Sequence, residues 1–214
     1  MPTWPFPVDL TPDQEQLLVE YGNVLVEVNQ RMNLISRKDT DQVFHHHIGH
    51  CLAMAHRGFS PGSELVDWGT GGGLPAVVLA ILFPDVQIVA VDSTQKKIRA
   101  VEHFIAHLGL TNIRAWNGRA EQFPDRFHMS VSRATAPLAT LWGWHARRAH
   151  APRTESPGAW SDGLLCLKGG DLQAEIAAMQ KVYRNLRVEQ IPLSGITNDP
   201  YFETKALVHV SRQS

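Results

Sequence analysis

Apolar positions along this chain follow two rhythms, and the change falls near residue 60. In the first segment, residues 1–10 read as an extended arm. Thr11-Pro12-Asp13-Gln14 then combines an N-cap threonine, a proline at the first helical position and a glutamine three residues after the cap, the signature of a helix start. Leu17, Leu18, Tyr21, Val24, Leu25 and Val28 follow at helical spacing. A polar link over Asn33 to Asp39 leads to a second stripe of Val43, Phe44, His47, Ile48, Cys51, Leu52 and Ala55, which predicts a second amphipathic helix. Ser60-Pro61-Gly62 is a turn and a boundary. Two units are expected, a helical extension over 1–60 and a larger domain over 61–214.

Beyond residue 63 short apolar runs alternate with helical stretches. Strands are expected at Leu65-Val66, Val86 to Val91, Ile113 to Trp116, Met129 to Val131 and Leu164 to Leu167. Helices are expected at Pro75 to Phe83, Lys96 to Leu108, Leu138 to Ala149 and near Asp171 to Tyr183. Arg187 to Ile191 and Lys205 to Val210 are late strands with no helix-length segment between them. Five strand-to-helix steps closed by a strand pair imply an α/β fold of Rossmann-like type. Its sheet is seven-stranded and mostly parallel, with helices on both faces and an antiparallel terminal hairpin. The stretch 147–162 breaks every pattern and reads as a mobile loop.

Charge changes the picture little, and that is informative. With 20 basic and 21 acidic residues the formal charge is −1, so the chain does not track nucleic acid over most of its surface. An RNA contact would need a local patch, for which Arg31, Arg37, Lys38, Arg126, Arg147, Arg148, Arg153 and Lys168 are candidates. The two cysteines, Cys51 and Cys166, suit a reducing compartment rather than a disulfide scaffold. The N-terminus has three prolines and no basic leader region, and no apolar run approaches the roughly 20 residues of a membrane helix. A monomeric cytoplasmic protein is expected.

The chemistry gathers at strand ends. In an open parallel sheet ligands lie at the carboxyl ends of the strands. The first strand runs through Asp67-Trp68 into Gly69-Thr70-Gly71-Gly72-Gly73, where glycines allow sharp turns and close approach of a ligand. The second ends at Asp92, about 20 residues on, where a carboxylate has acceptors for both hydroxyls of a ribose. A dinucleotide fingerprint would need a third glycine where Leu74 stands. Asp67 would repel a pyrophosphate but attract the amino end of S-adenosylmethionine. Asn117-Gly118-Arg119-Ala120-Glu121, after the third strand, either flanks an adenine or is an ordinary turn. Arg133 and Lys168, just past the fourth and fifth strands, stand at the same edge. His45, His46, His47, His50 and Cys51 offer metal-like spacing but no downstream ligand pair, so core histidines and no metal are expected. Of Trp116, Trp142 and Trp144, one is expected to stack on a base and the others to fill the core.

Several of these residues recur as a specific set. Asn33-Leu34-Ile35-Ser36, His47-Ile48, Asp67 to Pro75, Asp92-Ser93 with Lys96-Lys97, Arg119-Ala120-Glu121, Val131-Ser132-Arg133-Ala134 and Leu167-Lys168-Gly169-Gly170 together resemble the bacterial 16S rRNA guanine-N7 methyltransferases, the glucose-inhibited division protein B family. The likeness runs from about residue 20 to residue 180. It implies a class I S-adenosylmethionine-dependent methyltransferase behind a small helical element. Cofactor contacts are implied at Gly69, Leu74, Ala120, Glu121 and Arg133, with Asp92 on the ribose and Gly71 in the same loop. The implied substrate is a guanine in the decoding-region loop of 16S rRNA in the small ribosomal subunit. Guanine N7 carries a lone pair and no proton, so transfer needs no general base, and Arg133 and Lys168 are expected to hold the cofactor carboxylate or an RNA phosphate. The chain departs from the family where His47-Ile48-Gly49-His50-Cys51 lacks an acid, where Lys97 replaces an arginine, and in the length of loop 147–162. Other readings are methylation of another RNA, a protein or a small molecule, and a non-enzymatic ribosome-assembly factor.

Overall fold

A computed structural model describes residues 2–133, 135–153 and 156–213. Ala134 of the family set and Thr154 and Glu155 of the expected mobile loop lie outside the described residues. Helix α1 (Pro12–Asn29) starts as its sequence dictates: Thr11 Oγ1 accepts from Gln14 N at 3.2 Å, and Thr11 N donates to Gln14 Oε1 at 3.0 Å. These bonds satisfy two backbone donors that the first turn leaves orphaned.

The second predicted helix differs. Residues 37–56 form one continuous stretch of mixed geometry, with tight 3₁₀ turns at each end, a wide π turn over Val43–Gly49 and a single α turn, α2 (His50–Leu52). Val43, Ile48, Cys51 and Leu52 still face the core. The π turn sends three consecutive histidines to separate partners: His45 pairs with Asp199, His46 stacks on Tyr201 and His47 meets Arg133. A regular helix satisfying only the apolar stripe would not serve all three.

The sheet comprises β1 (Glu64–Trp68), β2 (Gln87–Asp92), β3 (Ile113–Asn117), β4 (Met129–Arg133), β5 (Leu164–Gly169), β6 (Leu186–Pro192) and β7 (Lys205–Arg212), in the order β3-β2-β1-β4-β5-β7-β6. Strands β1 to β5 are parallel, with Val66 opposite Val89 on one side and Ser130 on the other. β7 inserts antiparallel between β5 and β6, so that Leu165 faces His209 and Val188 faces Val210. Chain order reverses beside β1, which opens a crevice at the carboxyl ends of β1 and β4.

Helices α3 (Ala76–Leu82), α4 (Gln95–His107), α5 (Leu138–Arg148) and α6 (Gln173–Val182) supply four of the five expected crossovers. All seven residues of α3 are buried, which is why its sequence is apolar throughout rather than striped. The third crossover contains no α-helix, only a 3₁₀ turn over Ala120–Gln122. Pro124 follows, and Phe123 and Phe127 turn inward, edge-on to Trp68 at 5.6 and 5.5 Å, in place of a helix face.

The extension shares its core with the sheet domain. Leu18, Tyr21, Leu25, Ile48 and Leu52 belong to one apolar cluster with Leu65, Val77 and Ile88. The described part of 147–162 is also tied down. Arg153 forms an ion pair with Asp162 at 2.7 Å and donates to Ser63 Oγ at 2.9 Å. Trp160 is buried, its Nε1 donating to Met54 O at 2.9 Å, and Gly58 bridges to Ala159. Arg57 lies over the Trp160 ring and pairs with Glu189 at 2.8 Å. These contacts clasp the end of the extension to β6. No helix among the described residues is long and apolar enough to cross a membrane.

Candidate active site

The crevice beside β1 holds a cavity of about 580 Å³, a size suited to a small-molecule cofactor. Gly69, Gly71, Leu74, Asp92, Ala120, Glu121 and Arg133 all line it. Four segments far apart in sequence thus converge on one space. Lys168 is not brought there. Its Nζ donates to Ala136 O and pairs with Glu175 Oε1, both at 2.7 Å.

The glycine loop owes its shape to three neighbours. Gly69 sits at φ +72°, and a Cβ there would fall 2.2 Å from Thr135 Cγ2. Gly73, at φ +90°, packs against Val77 so tightly that a Cβ would meet Cγ2 at 2.6 Å. Both positions require glycine on conformation and on space. The third neighbour is α1: Tyr21, fully buried, donates its hydroxyl to Gly72 O at 2.6 Å. The extension therefore braces the loop directly.

Asp92 organises the floor. Its Oδ1 accepts from Thr94 N at 2.8 Å and its Oδ2 from Gly71 N at 3.2 Å. Each oxygen keeps a lone pair for a ligand. Asp67, expected to attract the amino end of a cofactor, does not face the cavity. It is fully buried, and its Oδ2 accepts from Ala76 N at 3.2 Å, at the start of α3. Burial pushes its pKa up to about 7. The residue is a structural cap rather than a contact surface.

At the far wall Glu121 Oε1 accepts from Trp144 Nε1 at 2.9 Å. Its carboxyl lies below the usual range because its own backbone N–H and the indole both donate to it. Trp144 lines the cavity, whereas Trp142 is buried in the core and Trp116 packs edge-on to Phe123. Sequence reasoning missed Thr135 and Thr94, which also line the space. Their adjacency to Arg133 and Asp92 was the available clue.

Arg133 is held from behind. Both terminal nitrogens of its guanidinium lie 3.1 Å from His47 Nδ1. Burial, reinforced by that guanidinium, lowers the His47 pKa to about 4. The imidazole is therefore neutral at neutral pH and accepts from the cation. The histidine read as a core residue is buried, and it also sets the position of a cavity residue.

Three of the basic residues considered for an RNA-facing patch do not face the cavity. Arg153 is committed to Asp162 and Lys168 to Glu175, while Arg126 lies beside Glu64, Gln87 and Asn112 at the amino-terminal edge of the sheet. Arg31 lies at the opposite edge, where its carbonyl accepts from Lys96 Nζ at 3.4 Å, next to the cavity residues Leu34 and Lys97.

A parallel sheet of this order with a reversed seventh strand, and a glycine loop facing a strand-end carboxylate, define a class I Rossmann-like methyltransferase. Solved structures agree on the fold. A ribosomal protein L11 methylase from Lactobacillus delbrueckii superposes with a TM-score of 0.59 at 14% identity, over 78% of each chain. A fibrillarin from Aeropyrum pernix, bound to S-adenosyl-L-methionine, superposes at 0.50 and 15% identity, over 71% of this chain and 67% of that one. The family profile described as GidB, rRNA small subunit methyltransferase G, matches residues 14–199. Curated relatives carry the name ribosomal RNA small subunit methyltransferase G. One from Salinibacter ruber is 46% identical over 202 residues, covering 94% of each chain. Another, from Chlorobaculum tepidum, is 39% identical over 209 residues, covering 94% of this chain and 91% of that one. The chain belongs to the rRNA small subunit methyltransferase G family, whose cofactor is S-adenosylmethionine.

Proposed function

We propose that this protein transfers the methyl group of S-adenosylmethionine to N7 of a guanine in 16S rRNA, acting on the small ribosomal subunit in the cytoplasm. The observation that carries the reading is the convergence on one cavity of Gly69, Gly71, Leu74, Asp92, Ala120, Glu121 and Arg133, in a chain whose relatives bear an rRNA methyltransferase name. The bound cofactor supplies an electrophilic methyl group on a sulfonium. Asp92 accepts from the ribose hydroxyls with the lone pairs that Gly71 and Thr94 leave free. Ala120 and Trp144 flank the adenine. Arg133, steadied by His47, pairs with the cofactor carboxylate. The lone pair of N7 needs no proton removed, so rate comes from alignment and exclusion of water. Lys168 acts by position: it ties Ala136 to Glu175, which also accepts from Leu138 N at 2.6 Å, and so fixes the segment after Arg133.

Incubation with labelled S-adenosylmethionine and small subunits from a strain lacking the activity tests the reading. Label at N7 of a single guanine is expected. Label on ribosomal protein, on another RNA atom, or none despite cofactor binding would overturn it.

A further inference from the structure

At the amino-terminal edge of the sheet, away from the cavity, the fold gathers a second set of ligand-type side chains. Glu64 is the first residue of β1, His128 precedes β4, and His150 lies two residues past α5. Main-chain bonds fix all three. His128 N donates to Glu64 O at 2.9 Å, and His150 N donates to Phe127 O at 2.8 Å. Glu64 Oε2 lies 3.3 Å from His128 Nδ1 and 3.3 Å from His150 Nε2. One ligand atom from each residue falls within 4.8 Å of the others.

The spacing is unlike that of a settled ion pair. A charge-assisted N–H···O bond closes to about 2.7–2.9 Å. By contrast, a tetrahedral ion with bonds near 2.0–2.1 Å sets its ligand atoms about 3.3 Å apart. The remaining edge, between the two imidazoles, can close by side-chain rotation, since Glu64 is exposed and His150 partly so. The tautomer is right as well. Glu64 N donates to His128 Nδ1 at 3.1 Å, so that nitrogen carries a lone pair and its proton sits on Nε2.

We infer that Glu64, His128 and His150 form a binding site for a divalent transition ion of the zinc class, with solvent in the fourth position. Two imidazoles and one carboxylate suit such an ion rather than calcium or magnesium, which take oxygen ligands. Coordination displaces the Glu64 N–H from His128, at a strand start where water replaces it. The bound ion ties the starts of β1 and β4 to the end of α5 and adds stability by mass action.

Calorimetric titration of the full chain with ZnCl₂ in a non-coordinating buffer, paired with thermal unfolding, tests this. One equivalent should bind, and it should raise Tm. His150→Gln and Glu64→Gln should each weaken binding by about tenfold or more and abolish the rise in Tm. Their affinity for S-adenosylmethionine should be unchanged, which also confirms that they are folded. Absence of stoichiometric binding, or binding equally tight in both variants, would overturn the inference, the second result by placing the ion on other histidines.

Discussion

Asp92 performs two tasks with one carboxylate. It holds the backbone of Gly71 and Thr94, and in the proposed complex it holds the ribose. Asp92→Ala should therefore weaken S-adenosylmethionine binding by more than the loss of one contact. About 1.5–3 kcal/mol is expected for hydrogen bonds to a charged group, read as a rise in Kd of roughly tenfold to a hundredfold by calorimetry. An unchanged Kd would remove Asp92 from the site. His47 acts one step back. His47→Ala should raise KM for the cofactor several-fold while leaving kcat nearly unchanged, and His47→Gln, which keeps an acceptor for Arg133, should restore much of the loss. At this scale the sequence was legible where function is local. A glycine loop beside a strand end and an acid one unit later are short-range patterns. The His47–Arg133 contact spans 86 residues, and no local pattern marks it.

At the scale of elements, the link between α1 and the glycine loop has the clearest consequence. Tyr21→Phe removes the hydroxyl that donates to Gly72 O at a buried site. Leaving that carbonyl unpaired should cost about 1–3 kcal/mol, measured as a lower midpoint in urea, with a weaker cofactor affinity alongside. If stability fell and affinity held, the extension would support the fold without shaping the site. Capping, alternation and the closing strand pair were all readable from residue spacing, because each depends on neighbours along the chain. Two elements were not. The π turn over Val43–Gly49 arises from partners at Arg133, Asp199 and Tyr201, and the helix-free third crossover from aromatic packing of Phe123 and Phe127 on Trp68. Tertiary contacts decided both, and periodicity does not record them.

For the molecule as a whole, buried histidines set the response to acid. Burial lowers the pKa of His47 to about 4 and of His145 to about 3, and lowers that of His50 as well. Between those values and the unfolded value near 6.5, the unfolded chain binds protons that the folded chain refuses. Stability must then fall as pH drops through that window. Asp67 works in the opposite direction: raised to about 7, it takes up a proton on folding below that pH. One acid only partly offsets three histidines. Unfolding free energy in urea should be lower at pH 5 than at pH 7; an equal or higher value at pH 5 would contradict these burials.

The clasp formed by Trp160 and Glu189 around Met54 and Arg57 bears on how the chain is made. Synthesis runs from the amino terminus, so residues 53–58 leave the ribosome long before either partner exists. The first-made segment is thus secured by late-made ones, and the order of locking runs against the order of translation. The nascent extension must remain unclasped on that side until Trp160, and then Glu189 in β6, have been made.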